Sequence, residues 1–319
     1  MASSTSSKIL LIGATGVIGK YITDAIVSAS PPVVQDIAVF TSPATASSLD
    51  KQDLLSSWKS RGVYVITGDV NSSNDIAKAY EGVDTVVSCL GRNGLAIQIE
   101  LLKLAEESKT VKWFFPSEYG TDIEYDASSK DEKPHQNKLK VRKFIRENIK
   151  KVSCTYLVTG PYIDMYLALS PAGRFAGGYD PKAKQAVVVG SGDDRVGFTS
   201  MLDVGKLLVA ALRHPEASKG KVLKVQSFVT TPNIILSEFE KQTGPGWAVE
   251  HTSNQKLREI EKEMWENNHP AATGPTLRRI WAEGGTLYDK TDNELLGLKP
   301  EDMETLSEVV QRYIGEKDN

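Results

Sequence analysis

The sequence predicts an α/β protein, a doubly wound parallel sheet followed by a smaller mixed lobe. Three observations lead to that class. Short β-branched runs alternate with helical patterns through the first half of the chain, the signature of βαβ units whose sheet is covered on both faces. A glycine triplet, "GATGVIG", sits where the first apolar run gives way to the first helical pattern, a position that allows a tight turn. Past Gly160 the alternation breaks into segments rich in Gly, Pro and aromatics, such as "SPAGRFAGGYDPKAK" and "NNHPAATGPTLRRIW". These read as a lobe closing over the carboxyl edge of the sheet, where open α/β sheets bind ligands.

Taken in order, the apolar runs place strands at 9–12, 37–40, 63–67, 85–88, 112–116 and 155–159. The 3.6-residue patterns between them place helices at 17–28, 49–61, 73–80, 97–108 and 135–150. The expected division is a dinucleotide-binding domain over 1–159 and a substrate lobe over 160–319, with about 186–228 returning to the first domain. The Ser/Thr-rich start and "TSPATASSLD" read as loop.

The glycine turn carries the first functional reading. Gly13, Gly16 and Gly19 allow a pyrophosphate to approach the backbone of Thr15, Val17 and Ile18 at a helix N-terminus. This is the Rossmann-type arrangement, in a GxxGxxG spacing that resembles short-chain and extended dehydrogenase-like folds. The second strand ends "AVFTSPATASS", with no carboxylate to hold a ribose 2'-hydroxyl. Thr41 and Ser42, with Lys51 nearby, favour a 2'-phosphate and hence NADP(H), while leaving NAD(H) open. Asp69 and Val70 stand at a strand end suited to the adenine. Leu90 and Gly91, in "VVSCLGRNG", are placed to pass beside the ribose and pyrophosphate.

Composition narrows the partners. The chain has 319 residues, with 38 Lys and Arg against 41 Asp and Glu, a net charge of −3. No one-sign block suggests nucleic acid or an anionic membrane, so a small molecule is the expected partner and a monomer or homodimer the expected state. Cys89 and Cys154 lie in apolar runs, as buried reduced thiols do. The N-terminal run "KILLIG" is too short for a signal or spanning segment, and a cytoplasmic location is expected. His135, His214, His251 and His269 stand apart, and no metal site is read from them. No GxSxG elbow points to acyl transfer.

The helix after "FFPSEYGTDIEYDASSKDEKP" raises the question of chemistry. Its apolar stripe is Val141, Ile145 and Ile149, while Lys140, Lys143, Glu147, Lys150 and Lys151 fall opposite. Lys138 falls within about 60° of the apolar stripe, as does Arg142. Either its stem runs along apolar surface with the ammonium in water, or it is an inward acid/base group.

The set "GATGVIG", "FFPSEYG" and "NKLKVRKFIREN", with "GSGDDRVGFTSMLDVGKLL" later, resembles the NmrA-like branch of the atypical short-chain reductases. Within that branch the likeness is to the isoflavone, pinoresinol-lariciresinol and phenylcoumaran benzylic ether reductases, with wording nearer to fungal members. The resemblance implies that Lys138 lies by the nicotinamide as general acid/base, with Ser117, Gly160 and Tyr162 on the nicotinamide side. It also implies a substrate pocket lined by Tyr162, Met165, Tyr166 and Phe175, which read equally as core residues. Glu118 either meets substrate or caps the loop, with Tyr119 beside it, and the Pro/Gly-punctuated segment bearing Trp265, His269 and Trp281 reads as a lid. Tyr119 and Tyr125 are candidate secondary proton donors as well as wall or core residues. Tyr-x-x-x-Lys occurs only at Tyr313 to Lys317, read as chance. Two departures stand out: no Arg follows the second strand, and the family's N-x-F reads "GPY" from Gly160. The expected function is reduction of a bulky, flat, largely neutral aromatic or heteroaromatic metabolite of secondary metabolism. Two alternatives stay open, a cofactor-assisted cyclase or rearrangement enzyme with no net redox change, and a non-catalytic dinucleotide-sensing regulator.

Overall fold

The computed structural model describes residues 6–169 and 171–318. In chain order the first lobe runs β1 (Ser6–Ile12), α1 (Gly19–Ser28), β2 (Val34–Thr41), α2 (Pro43–Ser47), α3 (Leu49–Ser60), β3 (Tyr64–Thr67), α4 (Ser73–Ala79), β4 (Thr85–Ser88), α5 (Gln98–Glu107), β5 (Trp113–Phe115), α6 (Gln136–Asn148), β6 (Ser153–Cys154) and β7 (Tyr156–Val158). Every strand expected here forms, within a few residues at each end. The last splits in two at Thr155, because its amide bonds back to Phe114 while that of Tyr156 turns to Lys221. "TSPATASSLD" is the one misreading: Ser42 caps the short α2, its hydroxyl accepting from the Thr45 amide at 3.1 Å. The Ser/Thr-rich start lies outside the described residues as far as position 5.

All pairings in the main sheet are parallel, in the order β3-β2-β1-β4-β5-β6. That order reverses direction between β1 and β4, the switch point at which such sheets form a crevice. β1 is buried from Ile9 to Ile12 because helices cover both faces. Leu11, Val87 and Phe115 face one apolar cluster with α1, while Leu10, Val86 and Phe114 face another with α5 and α6. Cys89 belongs to the first cluster and Cys154 to the second, both free and buried.

The second lobe runs α7 (Ile163–Tyr166), β8 (Gly178–Asp180), β9 (Gln185–Val189), β10 (Val196–Phe198), α8 (Met201–Arg213), α9 (Pro215–Ser218), β11 (Val222–Lys224), β12 (Phe228–Thr230), α10 (Pro232–Thr243), β13 (Ala248–Thr252), α11 (Asn254–Glu266), α12 (Thr273–Ala282) and α13 (Leu306–Asp318). The segments within 186–228 divide between the two lobes. α8 joins the apolar cluster of α1, and β11 pairs in parallel with β7. In contrast, β9 pairs with β8 and β13, and β10 with β12, inside the lobe. A third apolar cluster, built around Phe198, Phe239 and Tyr179, is the lobe's own core. No helix among the described residues is long and apolar enough to cross a membrane.

Candidate active site

The glycine turn leaves β1 and enters α1 with an open face. Gly13 has φ +82°, and a Cβ there would sit 2.7 Å from the Cys89 carbonyl oxygen. A Cβ on Gly19 would overlap the Gly13 carbonyl and lie 2.7 Å from that of Ala14. These two glycines therefore let the turn nest against β4 and the helix start against the turn. Ala14 and Ile18 are buried beneath, whereas Gly16 and Val17 face outward and Thr15 is half-exposed. Such a cradle of small residues at a helix N-terminus fits a pyrophosphate. We expect Gly19→Ala to cost about 1–3 kcal/mol through overpacking, read as a lowered melting temperature together with weakened dinucleotide binding in a fluorescence titration.

At the end of β2, Thr41 is buried and Ser42 exposed. Ser42 is committed to its cap on α2, but no carboxylate stands beside it in the chain. Asp69 is exposed and one of its oxygens closes a turn onto the Asn71 amide at 2.9 Å; Val70 is half-buried. The ends of β4 and β5 are stitched together. Ser117 donates its hydroxyl to the Leu90 carbonyl at 2.8 Å, and its amide donates to the buried Gln98 side chain at 2.7 Å. Gly91 is exposed beside them.

Lys138 lies in the first turn of α6, half-buried, and its ammonium donates to the Glu118 carbonyl. The side chain thus turns away from the solvated face on which Lys140, Lys143, Glu147 and Lys150 stand exposed. It reaches the loop after β5, where a Cβ on Gly120 would come 3.6 Å from its Nζ. Among the described residues it makes no ion pair. Burial pushes the amine below the ordinary lysine range, and the Arg142 and Arg92 charges act in the same direction against Glu118.

Arg142, one turn further on, is 2 % exposed and does something the periodicity did not show. It grips both Glu118 carboxylate oxygens at 3.1 Å, reaches Glu124 at 2.8 Å and lies 3.7 Å from Asp122. Its own charge is held up by that acidic set. The arginine therefore fixes the loop onto which Lys138 reports. The Glu118 carboxylate is buried and bonded through both oxygens to Arg142.

The aromatic residues divide into two groups. Tyr162 donates its hydroxyl to the Tyr119 carbonyl, and Tyr119 is buried against Cys89. Burial raises both phenols, as it does that of Tyr125, which sits edge-on to His135. Trp281 donates to Thr121, directly after Gly120, at 2.8 Å and contacts Tyr166, which packs edge-to-face on Phe198. Phe175, half-buried, lies in the 3-10 segment Pro171–Ala176. Gly160 has φ +66°, with its amide on the Gly120 carbonyl, so glycine here joins the two lobes at the site loop.

Other expected substrate contacts lie elsewhere. Met165 is 57 % exposed and faces a depression shared with Tyr21 and Arg312, away from Lys138, because α7 turns that side toward α13. Trp265 spends its indole N–H on Thr276, bracing α11 against α12, beneath the Lys133 ammonium. His269 is exposed and accepts from the Ala271 amide in the turn between those helices. Tyr313 of the Tyr-x-x-x-Lys match is buried in the lobe core, donating to the Tyr179 carbonyl, so the match is incidental. Gln98, Arg92 and Arg278 gave no sequence signal, since their roles depend on partners far along the chain. Arg92 after β4, for instance, donates to Thr273 of α12 at 2.6 Å.

A family profile described as "NmrA-like family" matches residues 5–273. An isoflavone reductase homolog of Solanum tuberosum is 31% identical, over 75% of this chain and 75% of that protein. A phenylcoumaran benzylic ether reductase of Pinus taeda is 30% identical, over 74% and 75%. Among solved structures, the leucoanthocyanidin reductase–NADPH complex from Vitis vinifera matches with TM-score 0.81 and 21% identity, over 97% of this chain and 100% of that one. A crystal structure of isoflavone reductase matches with TM-score 0.80 and 23% identity, over the same shares. At these identities the structural likeness is one of fold, and it agrees with the six-stranded parallel sheet. With a family profile over most of its length and relatives of the isoflavone reductase kind, the chain belongs to the NmrA-like family.

Proposed function

We propose that this protein is an NADP(H)-dependent reductase that moves hydride to or from a C=C, C=N or C=O group of a bulky aromatic small molecule, with Lys138 handling the matching proton. The observation that carries this reading is a half-buried amine of lowered pKa at the carboxyl edge of a sheet whose first turn is an open glycine cradle. The names of its relatives, isoflavone and phenylcoumaran benzylic ether reductases, support it, as does the NADPH complex of a protein with this fold.

Bound NADPH would supply the hydride. The residues of this chain would do the rest. The turn from Gly13 to Gly19 would hold the pyrophosphate, and the Thr41–Ser42 edge would accept a 2'-phosphate that a carboxylate there would repel. Leu90, Gly91 and Ser117, tied together by the Ser117 hydroxyl, would flank the nicotinamide end. Lys138 would donate its proton to the oxyanion or carbanion developing on the substrate, with Tyr162, Tyr166 and Trp281 as apolar walls. A lowered pKa brings the ammonium closer to neutral pH, where proton transfer is most efficient. Donation needs the charged form, so reduction should fade as pH rises through that lowered pKa, on an alkaline limb earlier than an ordinary lysine gives.

Stoichiometric NADPH consumption against a panel of aromatic enones, imines and ketones tests the reading. A protein that binds the dinucleotide and converts a substrate without consuming it would replace net reduction by rearrangement. Cofactor choice is tested separately by Ser42→Asp. Aspartate also caps helices, so α2 should persist, while the added charge should weaken NADPH relative to NADH by roughly tenfold or more. Equal ratios in wild type and variant would remove this edge from the 2'-phosphate site.

A further inference from the structure

Arg278 on α12 is a buried cation that no carboxylate neutralises among the described residues. It is 9 % exposed, and among the described residues no Asp or Glu pairs with it. Its guanidinium lies flat over the Tyr166 ring, 3.5 Å from the centroid, with Trp281 at 5.7 Å. One terminal nitrogen, Nη2, donates to the Tyr166 carbonyl at 2.8 Å. The other, Nη1, is buried with no hydrogen-bond partner. Every other buried or half-buried arginine we describe has carboxylates: Arg142 has Glu118 and Glu124, Arg279 has Glu132 and Glu261, and Arg312 has Asp164 and Glu304.

A guanidinium held this way is expensive. Stacking on an aromatic face offsets part of the desolvation, but an orphaned charged donor in the interior carries a full penalty unless something completes it. Burial alone pushes Arg278 below the ordinary arginine range, with only the Tyr166 and Tyr179 phenols opposing. The stack also has a direction. Tyr166 touches Trp281, whose indole N–H holds Thr121, and Thr121 follows the Gly120 that lies against the Lys138 amine. Arg278 thus stands at the far end of an aromatic wall that begins at Lys138.

We propose that Arg278 is the anchor for a carboxylate on the substrate, so that the aromatic molecule this enzyme takes is an acid rather than a neutral one. This rests on the reductase reading above and narrows it. A carboxylate would accept from Nη1 and from the second N–H of Nη2, the end-on fork that arginine offers to planar anions. The aromatic body of the acid would lie along Trp281 and Tyr166, with its reducible group toward Lys138. Admission would need α12 to shift, since Nη1 is closed over. The side-chain hydrogen bonds from α12 to the first lobe, Arg92 to Thr273, Arg279 to Glu132 and Trp281 to Thr121, can exchange with water.

The test compares 2-naphthoate with its neutral amide, 2-naphthamide, by tryptophan fluorescence, with and without NADP+, while NADPH binding is titrated independently. Wild type should bind the acid at least about tenfold tighter than the amide, a charge-assisted pair against a neutral one. In Arg278→Met the preference should vanish while NADPH affinity stays unchanged. If that variant fails to fold, Arg278→Gln, which keeps a donor for the Tyr166 carbonyl without the charge, should show the same loss. Equal affinity for acid and amide in wild type overturns the proposal, as does a preference that survives in a folded Arg278 variant. Failure of NADPH binding in wild type would instead sink the reductase reading and leave the acid preference to be read on its own.

Discussion

Lys138→Met should lower turnover of any aromatic substrate by roughly 10²- to 10⁴-fold, the usual worth of a positioned acid/base group, while NADPH binds as in wild type. Methionine keeps the stem and removes the amine that donates to the Glu118 carbonyl. The lost hydrogen bond joins a half-buried side chain to a single backbone oxygen, so stability should change by about 1 kcal/mol at most. A large kinetic loss beside a small stability loss separates catalysis from architecture. Lys138→Arg is a second discriminator. Arginine keeps the charge but cannot release a proton near neutral pH, so turnover should stay as low as in Lys138→Met. Rescue of turnover by arginine would make Lys138 an electrostatic anchor instead.

Arg142→Met should cost about 3–5 kcal/mol, because removing one partner of a buried ion pair strands the others. Glu118 would be left 1 % exposed with both oxygens unpaired, and Asp122 would keep the Glu124 amide and, as its cation, Lys224 at 3.0 Å. A thermal melt or urea titration checks the magnitude. The loop from Glu118 to Glu124 also carries the Lys138 acceptor, the Gly120 carbonyl that receives the Thr159 and Gly160 amides, and the Thr121 hydroxyl that holds Trp281. Loosening it should therefore reduce turnover in whatever fraction remains folded. Arg142→Lys should rescue little, since one ammonium cannot reach Glu118 twice and Glu124 at once. A loss under about 1 kcal/mol would show that the acidic cluster is solvated rather than buried.

What the sequence revealed follows what is local. β1 through β5 and the helices α1, α3, α4, α5 and α6 were legible because periodicity and turn residues are encoded within a dozen neighbours, whereas the short α2 was hidden in a Ser/Thr-rich run. The glycine cradle was legible for the same reason, its crowding set by Gly13 and Gly19 within one turn. Periodicity showed Lys138 only as a residue on the wrong face of its helix, and it was the family resemblance that gave it a role. Its placement depends on a carbonyl 20 positions away, and Arg142, on the same side, looked equally anomalous until its acidic partners were in view. Met165, Trp265 and His269 show what composition leaves open. Their residue types suit a pocket and their position after the sheet suits a lobe, but one-dimensional composition does not say which way a helix turns. Trp265 found Thr276 and Met165 found solvent. Arg278 escaped because an unpaired arginine cannot be told from a paired one without seeing what surrounds it.

The proposed role of the Lys138 amine is to move a proton during hydride transfer. A single turnover with stereospecifically deuterated NADPH, wild type beside Lys138→Met, both saturated with cofactor, tests it. Deuterium is expected in the product of wild type and none, or a rate lower by orders of magnitude, in the variant. Deuteride transfer by Lys138→Met at the wild-type rate would contradict it, leaving Lys138 as a lysine that merely braces the loop after β5.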